Sequence, residues 1–329
     1  MLRPMKRKQN RLYTTLVITL IVCCALLVAL IGYTVYLFLP SSQMEAQTPL
    51  PITPTSSSPP KPVLTVKTAP PKQDDTVSTY LVDMDTGNVL ENHNGTKPMP
   101  MASTTKIMTA LIALQTGDLN QLIPVHQDAY DHVIEMGSSS AQLQVGDTLT
   151  LKDMLYGLML PSGGDAAIAI ADALTDGHPQ IFVERMNQFA RRLHMFHTNY
   201  ENVDGLTTSR THYSSGADII TLTEYAMKNP VFREIVQTPK YTVPATEHNH
   251  AYAWVNTNKL LTSYTGMTGV KTGHTDVAGW CLVFSAKRNG HTLMGVILNS
   301  PTEEGRDASV RELLDWAFSQ PSLPPSQAA

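Results

Sequence analysis

The pattern of hydrophobic and polar positions divides the chain into an apolar segment, a polar segment without periodicity and a long region of regular periodicity. Strand-like alternation marks both ends of this third region and predicts strands over residues 78–83, 280–287 and 291–298. Turn residues accompany these strands at 85–88 and at Asn289-Gly290. Each end of the region is therefore predicted to form a β-hairpin.

Between the two hairpins, apolar residues recur with a spacing near 3.6, as in helices that bury one face. The predicted helices cover residues 106–115, 151–159, 165–174, 179–194 and 217–227, and a last amphipathic helix covers 307–318. Strands at both ends with helices between them predict an α+β fold or a three-layer sandwich, in which one antiparallel sheet is formed from both ends of the domain and covered by helices. This order excludes a doubly wound parallel sheet, because strands and helices would alternate in one.

The beginning of the chain has the pattern of a membrane anchor. Residues 1–15 carry five basic residues and no acid, and residues 16–39 are almost unbroken in their apolar character. The apolar segment is long enough to cross a hydrocarbon layer of about 30 Å as a helix. The basic flank keeps the N-terminus in the cytoplasm, so a single-pass protein with its main domain outside the cytoplasm is predicted. A cleaved signal peptide is the alternative, but its apolar core is usually shorter.

Composition divides the remainder into three parts. Residues 40–75 are rich in Pro, Ser and Thr and predict an extended linker, 76–318 form one domain, and 319–329 predict a disordered tail. The net charge of −4 and the absence of a basic stripe exclude a nucleic-acid partner. Cys281 is the one cysteine outside the apolar segment, and its place in a strand-like apolar run predicts a buried thiol rather than a nucleophile.

Three short polar motifs interrupt the domain, namely Ser103-Thr104-Thr105-Lys106, Pro161-Ser162-Gly163-Gly164-Asp165 and Lys271-Thr272-Gly273. The first places a hydroxyl and an amine one helical turn apart, which is the geometry in which an amine activates a serine. Each motif alone also has a structural explanation: a helix cap, a helix break, and an edge strand protected by a lysine. Their occurrence together, in this order, indicates one active site.

The three motifs resemble the Ser-x-x-Lys, Ser-x-Asn and Lys-Thr-Gly set of penicillin-recognising serine enzymes. The similarity covers about residues 79–318 and includes the segments 101–110, 160–167, 204–206, 256–261 and 269–275. By this resemblance the chain is identified as a D-alanyl-D-alanine carboxypeptidase of the low-molecular-mass penicillin-binding proteins. The resemblance implies a β-lactamase/transpeptidase-like fold, peptidoglycan stem peptides as substrate, and β-lactam antibiotics as covalent inhibitors. Together with the apolar segment it predicts a location at the bacterial cell membrane, with residues 16–39 in the lipid bilayer.

The resemblance further implies three catalytic roles. Ser103 attacks the carbonyl of the penultimate D-alanine and forms an acyl-enzyme, Lys106 accepts its proton, and Ser162 relays a proton to the leaving D-alanine. A lysine amine with its ordinary pKa of about 10.4 is protonated at pH 7. Burial and a second cation, Lys271, are therefore expected to lower the pKa of Lys106.

A second set of residues holds the substrate by the same resemblance: Lys271, Thr272, Gly273, His274 and Arg306. Lys271, Thr272 and Arg306 are expected to meet the terminal carboxylate, which a guanidinium group can bind with two parallel hydrogen bonds. Gly273 allows the substrate backbone to approach closely. The backbone N–H groups of His274 and of the nucleophile form the oxyanion hole. A surface arginine beside a helix is the alternative for Arg306.

The second motif departs from the family pattern, because Gly164 stands where an asparagine that contacts Lys106 is expected. Losing such a hydrogen bond to the substrate costs about 1 to 3 kcal/mol, and Asp165 is expected to cap the following helix rather than to replace it. An active carboxypeptidase of altered efficiency is therefore predicted. The alternatives are a β-lactamase or DD-endopeptidase of the same fold, and a weakly active or non-catalytic wall-binding protein.

No metal or other cofactor is expected, because His248 and His250 lack a third ligand.

Overall fold

The computed structural model describes residues 62–323 of the chain. The predicted cytoplasmic segment 1–15, the predicted anchor 16–39 and most of the predicted linker lie outside these residues. Within residues 62–323, no helix combines the length and the apolar character needed to cross a membrane.

The strands of this part are, in chain order, β1 (Val63–Leu64), β2 (Ser78–Asp83), β3 (Asn88–His93), β4 (Leu122–Pro124), β5 (Thr148–Thr150), β6 (Lys240–Val243), β7 (Tyr252–Val255), β8 (Met267–Thr275), β9 (Gly279–Arg288), β10 (His291–Ser300) and β11 (Ser322–Leu323). The helices are α1 (Lys106–Thr116), α2 (Gln127–Met136), α3 (Leu151–Met159), α4 (Gly164–Ala173), α5 (Pro179–Arg192), α6 (Gly216–Ala226), α7 (Pro230–Gln237), α8 (Leu260–Ser263) and α9 (Glu303–Ser319), and a 3-10 helix, Ala102–Thr105, leads into α1.

A five-stranded antiparallel sheet of order β3-β2-β10-β9-β8 joins the two ends of the domain. β10 pairs directly with β2, so that Leu298 lies opposite Ser78. The turn between β9 and β10 is Asn289-Gly290, and both residues have positive φ, as a two-residue hairpin turn requires. The predicted antiparallel sheet formed from both ends is confirmed.

The sheet separates two hydrophobic layers because successive side chains of a strand point to opposite faces. On β10, Met294 and Val296 belong to the large core shared with α1 and α3–α7, whereas Leu293 and Ile297 belong to the core under α9. The result is a three-layer arrangement of helices, sheet and α9. It leaves β8 with a partner on one side only, and the active-site motifs gather at this edge.

Most predicted helices are confirmed to within a few residues, and the largest difference lies at α9. This helix begins at Glu303 rather than at 307, because the Thr302 side chain accepts a hydrogen bond from the Gly305 N–H group, 3.0 Å away, and so caps the helix one turn earlier. The polar helix α2, the helix α7 and the short pairs β4–β5 and β6–β7 were not predicted. Helix α7 nevertheless has apolar residues at helical spacing, namely Val231, Phe232, Ile235 and Val236.

The boundaries of the linker and the tail require correction. The linker was predicted to reach residue 75 and the tail to begin at 319, but β1 pairs with β11 within the described part of the chain. The buried Gln320 side chain fixes this contact, because its Oε1 accepts a hydrogen bond from the Lys67 N–H group at 2.9 Å and its Nε2 donates to Thr68 Oγ1 at 2.9 Å. Composition does not reveal pairing between segments that lie so far apart in sequence.

Candidate active site

Ser103 and Lys106 meet where the 3-10 helix passes into α1. The Lys106 side chain is buried, and its Nζ lies 3.1 Å from Ser103 Oγ and donates a hydrogen bond to the Asp204 carbonyl oxygen at 2.7 Å. Ala102, immediately before the serine, has a φ of 48°, which is uncommon for a residue with a side chain. The predicted pair is therefore within hydrogen-bond distance, and its amine has a fixed position.

Burial and the neighbouring carboxylates have opposite effects on the pKa of Lys106. Burial lowers the pKa of Lys106 below its ordinary value, while the carboxylates of Asp204 and Asp165 act in the opposite direction. Burial also lowers the pKa of Lys271, and the charges of Lys106 and Arg306 lower it further. Burial is the main cause that lowers the pKa of Lys106, as predicted, and the charge of Lys106 contributes to the lowered pKa of Lys271.

Ser162 lies in the turn between α3 and α4, with a φ of 66°. Its side chain is buried, and its Oγ has no hydrogen-bond partner among the described residues. A buried hydroxyl without a partner is costly, so native structures rarely keep one. Because Ser162 lines the same cavity as Ser103, its hydroxyl is free to form a hydrogen bond with a substrate or to transfer a proton during a reaction.

Six of the predicted residues line one cavity of about 300 Å³ at the edge of the sheet, whereas Lys106 and Lys271 are buried behind its wall. Its wall consists of Ser103, Gly137, Ser139, Ser162, Thr257, Thr272, Gly273, His274, Trp280, Glu303 and Arg306. Gly273 permits the close approach of β8 to the serine, because a Cβ at this position would lie 3.0 Å from the Ser103 nitrogen. The structure thus brings together the cavity-lining residues named from the sequence.

Arg306 is a buried residue of the first turns of α9 and not the surface arginine of the alternative. Its side chain is 1% exposed and lies 2.6 Å from Asp307 Oδ1 and 3.4 Å from Glu303 Oε1. The two carboxylates orient the guanidinium group, which also lies 5.8 Å from the centre of the Trp280 ring. A buried cation with a fixed orientation suits a carboxylate ligand.

The remaining binding residues differ in how firmly they are held. Thr272 Oγ1 is hydrogen-bonded to Thr257 Oγ1 at 2.6 Å. The sequence assigned no role to Thr257. The His274 ring is exposed and stacks on Trp280 with 4.0 Å between the ring centres. This contact gives the His274 ring a packing role, and the role of its backbone N–H group in the oxyanion hole stays a prediction.

Two further predictions concern residues beside the cavity. The thiol of Cys281 is buried as predicted, and burial raises its pKa to about 11, which excludes it as a nucleophile at neutral pH. The prediction for Asp165 is wrong, because Gly163 occupies the N-cap position of α4. The Asp165 carboxylate instead accepts hydrogen bonds from the Ala141 and Leu143 N–H groups, at 2.8 and 3.1 Å, and holds the segment that follows α2.

This arrangement defines a class of site: a serine hydroxyl within hydrogen-bond distance of a buried lysine amine, a second hydroxyl, and cations that can receive a carboxylate. It can transfer an acyl group to Ser103 and then to water. The sequence model of the D-alanyl-D-alanine carboxypeptidase family matches residues 65–302. The chain therefore belongs to the D-alanyl-D-alanine carboxypeptidase family.

Individual relatives agree with this assignment. The chain is 37% identical to a D-alanyl-D-alanine carboxypeptidase of Streptomyces over 74% of its own length and 87% of that protein. It is 36% identical to DacF of Bacillus subtilis over 74% of its own length, but spans 62% of that longer protein. The crystal structure of the Streptomyces K15 DD-transpeptidase superposes with a TM-score of 0.73 and 34% identity, covering 77% of this chain and all of that one. The transpeptidase-like α+β fold is thereby confirmed.

Proposed function

We propose that this protein removes the terminal D-alanine from peptidoglycan stem peptides through an acyl-enzyme on Ser103. The observation that carries the proposal is the 3.1 Å contact between Ser103 Oγ and the buried amine of Lys106, in a cavity that also presents Arg306. The nucleophile and its base lie in one part of the cavity wall, and the guanidinium group offers a carboxylate site in another. A substrate that ends in a free carboxylate fits this arrangement.

The reaction proceeds in two halves. Ser103 Oγ attacks the carbonyl carbon of the penultimate D-alanine, and Lys106 Nζ takes the hydroxyl proton. The C–N bond then breaks, and the protonated Lys106 passes its proton through Ser162 to the leaving amine, which returns Lys106 to the neutral amine. In the second half, water attacks the ester, Lys106 takes a proton from it, and the ester oxygen returns to Ser103 as a hydroxyl.

The charges of the cavity explain the preference for a terminal carboxylate. Arg306 supplies a positively charged guanidinium group. Lys271 is buried close to it, and an arriving carboxylate favours the protonated form of that amine. The hydroxyl of Thr272 can donate a third hydrogen bond. An internal peptide bond far from a chain end would bring no charge to these groups.

The experiment that tests the proposal incubates the purified full-length protein with a stem pentapeptide and, separately, with a fluorescent penicillin. We expect release of one D-alanine per peptide and a stable covalent adduct, which mass spectrometry places on the peptide containing Ser103. Rapid release of hydrolysed penicillin would instead indicate a β-lactamase. Neither product nor adduct would indicate a non-catalytic wall-binding protein, and cleavage of cross-linked muropeptides would indicate a DD-endopeptidase.

The structure offers little support for the β-lactamase alternative. Enzymes of the type with a Ser-Asp-Asn motif use a glutamate to activate the deacylating water. Glu303 is the acidic residue in the cavity wall, and it lies 3.0 Å from Lys259 Nζ and 3.4 Å from Arg306 Nη2. Burial acts to raise the pKa of this carboxyl group, but Lys259 and Arg306 together lower it below its ordinary value. Such a carboxylate is engaged with cations and is a poor base.

We also propose that residues 16–39 anchor the protein in the bacterial membrane, with residues 1–15 in the cytoplasm and the catalytic domain outside. The five basic residues before an uncharged apolar segment support this orientation. We expect the full chain to sediment with membranes and to resist extraction at high salt, and protease added to spheroplasts to digest the domain. A chain beginning at residue 40 and fused to a cleavable signal serves as the matched soluble control. Recovery of the full chain in the soluble fraction would contradict the proposal.

A further inference from the structure

Gly164 begins α4 beside the catalytic lysine, and Ser138 occupies the space where a side chain at this position would lie. A Cβ on residue 164 would be 2.1 Å from Ser138 Oγ and 3.0 Å from Asp204 Oδ2. The Gly164 N–H group is itself bound, since it donates to the Ser139 carbonyl oxygen at 2.7 Å. The segment after α2 therefore fills the volume that the expected asparagine would need.

Asp204 lies next to this space, and its contacts converge on Lys106. The carboxylate is fully buried, and its Oδ2 accepts hydrogen bonds from Ser138 Oγ at 2.8 Å and from His132 Nε2 at 2.9 Å. The same oxygen lies 4.0 Å from Lys106 Nζ, while the Asp204 carbonyl oxygen accepts a hydrogen bond from that amine. One residue thus contacts the proposed base through both its side chain and its backbone.

The charged and titratable groups that face Lys106 have separable effects. Lys271 and Lys106 repel each other, and burial lowers the pKa of His212 to about 4, so this imidazole is neutral at the pH of the reaction. Asp165 has its oxygens engaged by the backbone of the segment after α2. Asp204 is the remaining anion: its carboxylate Oδ2 lies 4.0 Å from the amine, and its uncharged backbone carbonyl oxygen accepts the hydrogen bond from that amine.

We propose that Asp204, held by His132 and Ser138 in the space beside Gly164, is the positioning residue of Lys106. This inference rests on the proposed function, because it concerns the base of that reaction. The Asp204 carbonyl oxygen holds Lys106 Nζ by a hydrogen bond, and the carboxylate adds a negative charge 4.0 Å from the same amine, where the family pattern would use the side chain at position 164. This negative charge also favours the ammonium form, so it helps the amine to accept the serine proton.

The test measures the rate of acylation of the full-length protein by a fluorescent penicillin as a function of pH. Acylation needs the neutral amine, so its rate rises with pH through the pKa of Lys106. The Asp204 carboxylate raises this pKa, so its removal in Asp204→Asn lowers it. We expect the acid limb of the profile to move to lower pH and the plateau to fall about tenfold, since the base is held less firmly.

Asp147→Asn is the matched control, because Asp147 is also a buried carboxylate but accepts its hydrogen bonds from Tyr252 and His250, outside the cavity. Its pH profile should coincide with that of the unsubstituted protein. An unchanged profile in Asp204→Asn, with normal acylation of the unsubstituted protein, overturns the inference. Absence of acylation in the unsubstituted protein contradicts the proposed function, and this inference with it.

A second set of variants tests the space itself and keeps Asp204 intact. Gly164→Asn should reduce acylation about tenfold or more, because the new side chain displaces Ser138 from the carboxylate. Ser138→Gly removes the two nearest atoms that the new Cβ would meet, the Oγ and Cβ of Ser138, and leaves Asp204 Oδ2 at 3.0 Å, so the double variant should recover most of the rate of Ser138→Gly alone. Additive losses in the double variant, or full activity of Gly164→Asn, would contradict the proposed competition for this volume.

Discussion

Replacing Ser103 by alanine is expected to abolish D-alanine release and penicillin labelling together, by roughly 10⁴-fold or more in rate. Both reactions need the oxygen that lies 3.1 Å from the amine of Lys106. Ser162 Oγ lines the same cavity but has no hydrogen-bond partner in the described part of the chain, so the geometry provides it with no base. A second serine therefore cannot replace the first.

The loss should occur without a loss of folding. Ser103 is only partly buried, so its replacement by alanine should change the free energy of unfolding by about 1 kcal/mol or less. Ser319→Ala is a suitable control, because Ser319 is an exposed residue at the far end of α9. Stopped assays of D-alanine and gel fluorescence measure the two activities. Residual labelling of Ser103→Ala above that of a heat-denatured sample would show that another nucleophile forms the acyl-enzyme.

The elements that were predicted correctly are those whose signal is local. The hairpin at Asn289-Gly290 and the helix that begins at Lys106 each need only their own residues, and both have the predicted position. The pair of Ser103 and Lys106 is local too, because residues three apart share a helix face. By contrast, periodicity could not bring Arg306 to the same cavity, and its prediction depended on the resemblance to a family.

The elements that were not predicted depend on tertiary packing. Asp165 has the type and the place of a helix cap, but its carboxylate is engaged by a segment more than twenty residues earlier. From the sequence, Gly164 indicates only the loss of the asparagine side chain that the family pattern expects. The structure shows that Ser138 fills the space of that side chain. Asp204 belonged to a matching segment, but its contact with Lys106 spans 98 positions of the chain. The polar run at residues 137–140, directly after α2, was the signal in the sequence that could have indicated a further segment at the site.

Replacing Lys106 by methionine is expected to reduce the acylation rate by about 10² to 10⁴-fold, the usual contribution of a general base. Methionine has a similar length and fills the buried volume, so the change removes the proton acceptor rather than the packing. Ser103 then has to lose its proton to water. The measurement is the second-order rate of labelling by a fluorescent penicillin, and Lys228→Met, at an exposed position on another face, is the control.

The same substitution should also destabilise the fold, for a reason that does not involve catalysis. Burial alone would raise the pKa of Asp204, and the charge of Lys106 and the hydrogen bond from His132 hold it below its ordinary value. Without the cation, the buried carboxylate loses its main electrostatic partner. We expect a loss of about 1 to 3 kcal/mol at neutral pH, less than for a fully orphaned charge because the hydrogen bonds from His132 and Ser138 remain.

A double variant separates the two effects. Adding Asp204→Asn to Lys106→Met removes both buried charges, so most of the lost stability should return. Removing both partners of a buried ion pair costs less than leaving one charge without its partner. Acylation should not recover, because no base has been restored. Thermal unfolding measures the first quantity and labelling measures the second. Recovery of activity along with stability would mean that Lys106 acts by holding the fold rather than by accepting the serine proton.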